Sequence, residues 1–230
     1  MTTGPTMTEW TVAVGAESTS AAYEPPITPT ARKTVFVCAH GAGGHMNDRG
    51  MLATAHAIRA RGIGVVRYNF LYAEKKSGRP DPMPRLKECV AAVVEYVRRE
   101  LAPDVLIIGG RSMGGRASSM LAADGFAVDG LLLLAYPLHP AGKPEQLRDA
   151  HLPKITMPTI CFNGTRDTLC VKALMDEVLQ RVGPNWTMHW VEGADHSFHV
   201  LKSSGRTDAE AMLEISDSAR AWLEGLPAPR

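Results

Sequence analysis

At 230 residues and 45% hydrophobic composition, the chain can bury one sizeable core, and one domain over residues 1–230 is expected. Its 25 Lys and Arg are dispersed among 24 Asp and Glu, for a formal charge of +1, which excludes an electrostatic footprint for nucleic acid or an anionic membrane. A neutral small molecule or a polypeptide fits this balance better, a small-molecule substrate is the partner expected, and the oligomeric state stays open between monomer and homodimer.

The first residues, MTTGPTMTEW, carry neither a basic nor an apolar leader pattern, and residues 1–9 are expected to form a flexible tail. The longest apolar run, GLLLLAY, is too short to span a bilayer, so a cytoplasmic location with no membrane partner is expected. Cys38, Cys89, Cys161 and Cys170 lack C-x-x-C spacing, and core packing is the simpler account of them than a metal or redox site.

Two weak strand candidates, WTVAV and TSAAYE, lead to a Pro-rich connection, PPITPTA. Strand-like runs then recur at 34–40, 64–70, 104–110, 130–136, 159–164 and 186–192, most of them apolar at successive positions. Such runs suit strands covered by helices on both faces. Between them, NDRGMLATAHAIRARG offers Asn47 or Asp48 as a cap and Gly62 as a stop. DPMPRLKECVAAVVEYVRREL offers Asp81 as a cap and Pro82 as its first helical residue, with Leu86, Val90, Val93, Val94, Val97 and Leu101 on one stripe. DTLCVKALMDEVLQRVG ends at Gly183, a last helix spans roughly 207–224, and residues 225–230 form a short tail. Strand and helix in alternation predict an α/β fold with a mostly parallel sheet, whose ligands gather at the carboxyl ends of the strands.

Four of those ends carry chemistry. Gly110-Arg111-Ser112-Met113-Gly114 fits a G-x-S-x-G elbow, in which a strand turns sharply into a helix and presents a serine hydroxyl. The competing reading is a phosphate-binding turn, but neither G-x-x-x-x-G-K-[ST] nor G-x-G-x-x-G is present. A serine needs a base, and the base needs a group to orient it. His196 in GADHSFH and Asp167 in NGTRD follow later strand runs in the order Ser, Asp, His. His199 is the alternative base, whereas Asp195 should point elsewhere and Asp176 belongs to a solvated helix face. His40 is expected to hold the first loop through a backbone hydrogen bond, and the remaining histidines have no partner pattern. The glycines of HGAGG allow close approach of backbone N–H groups to a ligand, so the amides of Ala42 and Met113 are the candidate oxyanion hole, with Gly43 a substitute for Ala42.

The motifs HGAGG, GGRSMGG, GTRD and GADHSF resemble those of the α/β-hydrolase superfamily over residues 34–224. HMNDRGM, RYNF and YPLHPAGKPEQLR are further similar to a small branch related to dienelactone hydrolases. That branch includes bacterial proteins of unassigned substrate, a testis-expressed protein and a subunit of the nonspecific-lethal histone acetyltransferase complex. The resemblance implies an α/β-hydrolase fold with about eight strands, antiparallel only near its start, and a catalytic triad of Ser112, Asp167 and His196. Only residues 137–157 separate LLLLAY from MPTICF, too few for a lid domain, so an open site for small or exposed acyl groups is expected.

The implied activity is a serine hydrolase of carboxylic esters that uses no cofactor and no metal. Two alternatives are acyl transfer to peroxide or another nucleophile, and a non-catalytic interaction module. Gly41, Gly43, Asn47, Asn69, Tyr72, Arg111, Tyr136 and His139 are the candidate pocket lining. Arg67, Arg111 and Arg166 could each bind a substrate carboxylate or brace a loop, and bracing is the simpler reading because arginines beside strand ends often serve as internal struts.

Overall fold

The computed structural model describes residues 6–226. Among them the chain forms β1 (Thr8–Val14), β2 (Glu17–Glu24), β3 (Thr34–Ala39), α1 (Arg49–Arg59), β4 (Gly64–Tyr68), α2 (Leu71–Glu74), α3 (Met83–Leu101), β5 (Val105–Arg111), α4 (Met113–Ala123), β6 (Gly130–Leu134), β7 (Thr159–Gly164), α5 (Lys172–Leu179), β8 (Trp186–Val191) and α6 (Asp208–Glu224). The eight strands make one sheet in the order β1-β2-β4-β3-β5-β6-β7-β8. β1 and β2 pair antiparallel, β2 joins β4 antiparallel, and all remaining pairs are parallel. This is the fold that the alternation of strand and helix predicts.

Alternation along each strand divides an apolar run between the two faces. Val35 and Val37 of β3 join Val93 and Val97 of α3, while Phe36 and Cys38 join Met51 and Ile58 of α1 and Ile215 of α6. Two cores result, one on each side of the sheet. Each fully buried Val, Leu, Ile or Phe side chain contributes about 1.5–3 kcal/mol. The four cysteines are free and buried within these cores, where desolvation pushes the Cys38 and Cys89 thiols up to about 12.

Several boundaries differ from the sequence reading for local reasons. Thr8 and Glu9, expected to lie in a flexible tail over 1–9, instead belong to β1 and pair with Tyr23 and Ala22; residues 1–5 lie outside the described residues. At the other end Gly225 caps α6, and 227–230 lie outside. α3 begins at Met83 because Asp81 does not cap it; its carboxylate accepts a hydrogen bond from the Tyr72 amide at 3.0 Å. Asp48 makes no side-chain cap on α1 either, accepting instead from the His45 amide at 2.8 Å. The run at 130–136 stops pairing at Leu134, where Ala135 takes φ of 53° and turns the chain off the sheet. At α6 the local signals agree: Thr207 and Glu210 form a reciprocal capping box, and losing such a cap costs about 1 kcal/mol.

The connection from β6 to β7 contains only a 3-10 turn at Leu152–Lys154, so no lid covers the sheet edge. It packs on α4 through His151, whose Nε2 lies 2.9 Å from Ser119 Oγ. Burial, with the Arg116 guanidinium adding to it, pushes this imidazole down to about 4. The unfolded chain, with a histidine pKa of about 6.5, takes up the proton first, so this contribution is complete above about pH 6.5 and declines as pH falls from there toward 4. His151→Gln is therefore expected to show a smaller drop in Tm than the parent between about pH 7 and pH 5. Equal acid sensitivity of the two proteins would remove His151 from the account.

Candidate active site

The elbow follows from close packing at the end of β5. Ser112 sits at φ 48° and ψ −116°, a strained conformation for a residue with a side chain, and its amide donates to Leu134 O at 2.8 Å. A Cβ on Gly110 would lie 2.1 Å from Ala39 O, and one on Gly114 2.6 Å from His40 O. The two glycines of G-x-S-x-G are thus the price of bringing β5 and α4 against β3, and they leave the hydroxyl above the sheet edge.

Opposite Ser112, two loops are pressed together. A Cβ on Gly164 would lie 2.1 Å from Ala194 O, so the turn after β7 and the loop after β8 approach backbone to backbone. Arg166 ties them further, with its amide on Ala194 O at 2.9 Å and its guanidinium on Gly193 O at 3.0 Å. Asp195 shapes the second loop by accepting from the Ser197 and His199 amides at 2.7 and 3.0 Å.

This frame brings the three predicted side chains into one chain of contacts. His196 Nε2 lies 2.9 Å from Ser112 Oγ, and His196 Nδ1 lies 2.9 and 2.8 Å from the two Asp167 oxygens. The Asp167 side chain is fully buried, while His196 keeps partial exposure. Leu169 N donates to Asp167 Oδ1 at 2.8 Å and Asn163 Nδ2 to Oδ2 at 2.9 Å, so both oxygens are satisfied besides the imidazole. His199, the alternative base, is exposed and turned to Asp208 at 3.0 Å. Asp176 pairs with Lys172 on the surface at 2.7 Å.

Asn163 was not among the predicted residues. It is fully buried in β7, donates to Tyr136 O at 3.0 Å, and accepts from Tyr136 N at 3.1 Å. Its signal in the sequence is a polar amide inside the apolar run TICFNG, four residues before Asp167.

The loop after β3 is held from several sides. His40 Nδ1 donates to Gly41 O at 2.8 Å while Nε2 accepts from Phe70 N at 3.0 Å, a pairing that needs the neutral ring, and burial lowers its pKa in the same sense. Tyr72 Oη donates to Gly41 O and accepts from Gly43 N, both at 3.2 Å. The Gly43 amide is therefore engaged, whereas the Ala42 and Met113 amides have no acceptor among the described residues. Those two remain the candidate donors to an oxyanion.

A cleft of about 440 Å³ opens over Ser112 and His196, walled by Gly41, Ala42, Gly50, Arg111 and Leu169 among others. Of the predicted lining, Gly41 and Arg111 face it. Asn47, Asn69 and Tyr72 do not: Asn47 Oδ1 accepts from Arg67 at 2.9 Å, Asn69 Oδ1 from Met46 N at 2.8 Å, and all three brace the loop from behind. Gly43 lies outside the wall, with open space on its Cβ side. Tyr136 and His139 are buried, donating to Arg148 O at 2.6 Å and to Pro140 O at 3.0 Å, and so fasten the β6–β7 connection. Strand-end residues point toward whichever neighbour packs on them, and that neighbour is set by the fold. Asp48, Met51, Ala135 and Ser197 line the cleft without having been predicted.

The arginines divide. Arg67 is buried, bonded to Glu24 at 2.8 Å and to Met46 O, and Arg166 ties the two loops as above. Both are struts. Arg111 forms no ion pair among the described residues. No cluster of three His, Cys, Asp or Glu side chains suited to a metal occurs among the described residues, and none of their helices is long and apolar enough to cross a membrane.

Comparison with solved structures places this architecture among known ones. A lidless α/β serine hydrolase from Xanthomonas campestris superposes with a TM-score of 0.76 at 24% identity, over 97% of each chain. The dienelactone hydrolase from Anabaena variabilis gives 0.74 at 18% identity, covering 97% of this chain and 99% of that one. Est1E from Butyrivibrio proteoclasticus gives 0.73 at 14% identity, covering 96% and 100%. At these identities the likeness concerns the fold. The sequence model of the alpha/beta hydrolase domain matches residues 32–224, most of the chain. By that match, on the sheet and elbow just described, the chain belongs to the alpha/beta hydrolase domain family.

Proposed function

We propose that the protein is a serine hydrolase that cleaves carboxylic esters through an acyl-enzyme intermediate. The observation that carries this reading is the continuous contact from Ser112 Oγ to His196 to Asp167, at 2.9 and 2.8–2.9 Å. Membership of the family supports hydrolytic chemistry in general. The ester class is the finer part of the proposal, and the open, lidless cleft over Ser112 is what supports it.

In this mechanism Ser112 Oγ attacks the acyl carbon while His196 Nε2 accepts the hydroxyl proton. Buried Asp167 holds the imidazole with its proton on Nδ1 and stabilises the imidazolium that forms. Negative charge developing on the carbonyl oxygen is met by the amides of Ala42 and Met113. His196 then returns the proton to the leaving alkoxide, and a water molecule, deprotonated by the same imidazole, releases the acid.

A fluorophosphonate tests the reading directly, because attack by Ser112 Oγ on phosphorus expels fluoride and leaves a stable adduct. Intact mass is expected to show one adduct on the parent protein and none on Ser112→Ala. Unlabelled parent protein with a cooperative thermal transition would favour the non-catalytic interaction module instead.

A further inference from the structure

Arg111 stands beside the nucleophile in chain and in space, yet it is used differently from the other two arginines at this edge. Its guanidinium makes one hydrogen bond, Nη2 to Ser197 O at 3.3 Å, and lies 5.4 Å from the centre of the Phe198 ring. The carboxylates nearest in field, Asp48 and Asp195, are committed elsewhere: Asp48 to the His45 amide and ring at 2.8 and 3.0 Å, and Asp195 to the Ser197 and His199 amides. The remaining N–H groups of the fork therefore have no acceptor among the described residues. Their nitrogens are not fully enclosed by the surrounding residues, and Arg111 lines open space.

That space is double. Arg111, Gly50 and Ser197 wall the nucleophile cleft and also a second cavity of about 670 Å³, between α1 and α6. The second cavity is lined largely by apolar groups, among them Ala53, Ala57, Phe198, Met212 and Leu213. Leu213, on the wall of this cavity, is left 48% exposed. A cation at the junction of a polar cleft and an apolar groove matches a molecule that has a carboxylate next to an apolar group. Burial holds the guanidinium below its ordinary pKa, because desolvation disfavours the charged form.

We propose that Arg111 recognises a carboxylate on the substrate, and that the α1–α6 groove receives the apolar portion of the same molecule. This deepens the ester-hydrolase reading and rests on Ser112 being its reacting atom. The substrate class is then an acidic ester with an apolar substituent, its carboxylate held by the planar fork at the edge of the nucleophile cleft.

Binding tests the proposal without requiring turnover. In Ser112→Ala, phenylbutyrate is expected to bind about tenfold more tightly than phenylbutyramide, with shifts in the Met212 and Leu213 methyl resonances. Adding Arg111→Met should erase that preference, and Arg111→Lys, which keeps the charge without the fork, should keep part of it. Equal affinities in Ser112→Ala, no measurable binding of either at millimolar concentration, or a preference surviving Arg111→Met would each overturn the proposal. So would methyl shifts that follow protein concentration alone, which would assign the groove to a second copy of the chain. Should Arg111→Met fail to fold, the Arg111→Lys and parent proteins still decide the matter.

Kinetics separates this claim from the one beneath it. The ratio of kcat/KM for p-nitrophenyl hydrogen succinate over p-nitrophenyl butyrate should fall about tenfold in Arg111→Met. An unchanged ratio would overturn the carboxylate role. Failure of the parent to cleave either ester, with the binding preference intact, would overturn the hydrolase reading alone.

Discussion

His196→Ala is expected to lower hydrolysis of an activated aryl ester by about five to six orders of magnitude in kcat, with folding retained. The size follows from the ring's double duty. In the proposed mechanism it takes the proton from Ser112 Oγ, 2.9 Å away, and returns it to the leaving group, and among the described residues no other imidazole lies within hydrogen-bond reach of that oxygen. His199 is three residues away in sequence, but it points to Asp208 and its loop is pinned by Asp195. Residual catalysis over water of about a thousandfold should persist, since the candidate oxyanion amides remain. Steady-state rates alongside a thermal melt check this, and full activity would transfer the base role to His199.

Asp167→Asn should cost about ten-thousandfold in kcat while KM changes little. The argument is one of donors. Asp167 now accepts from Leu169 N and from Asn163 Nδ2, besides contacting His196 Nδ1. An asparagine there must keep its oxygen toward one donor, so its NH2 group either faces another donor or turns to the imidazole. In the latter arrangement His196 carries its proton on Nε2 and donates to Ser112 rather than accepting from it. The fluorophosphonate labelling rate should fall in parallel with kcat. A loss below tenfold would show that the carboxylate neither selects the tautomer nor stabilises the imidazolium.

Much of this architecture is written in short-range pattern. Runs such as VLIIG and GLLLL must be covered on both sides, and the helices between them carry one apolar stripe each, which together dictate a parallel sheet with helices on both faces. The elbow is legible because its spacing, a glycine two residues to either side of Ser112, stands in the sequence, although the clashes those glycines avoid are with Ala39 and His40 at the end of β3. Ser112, Asp167 and His196 could be named as candidates since each lies soon after a strand, following Arg111 of β5, Gly164 of β7 and Val191 of β8, and parallel strands deliver their ends to one edge. Even the structural role of His40 could be foreseen from its place beside a glycine loop.

Orientation and pairing lie beyond such patterns. Asn69, Tyr72, Tyr136 and His139 sit where a pocket residue would sit in sequence, yet each turns toward a neighbouring loop and spends its polar atoms there. Asp81 carries the mark of a helix cap and instead holds the Tyr72 amide. Asn163 belongs to the site only because β7 lies beside β6, which puts its amide between Tyr136 and Asp167. The three arginines are alike on paper. By itself, then, the sequence determined the sheet, the elbow motif and the order of the three candidate residues, since those follow from periodicity and from spacing along the chain. Which polar groups are committed and which remain open, Arg111 above all, was decided by tertiary packing, because a hydrogen bond between residues tens of positions apart exists only once the chain has closed around it.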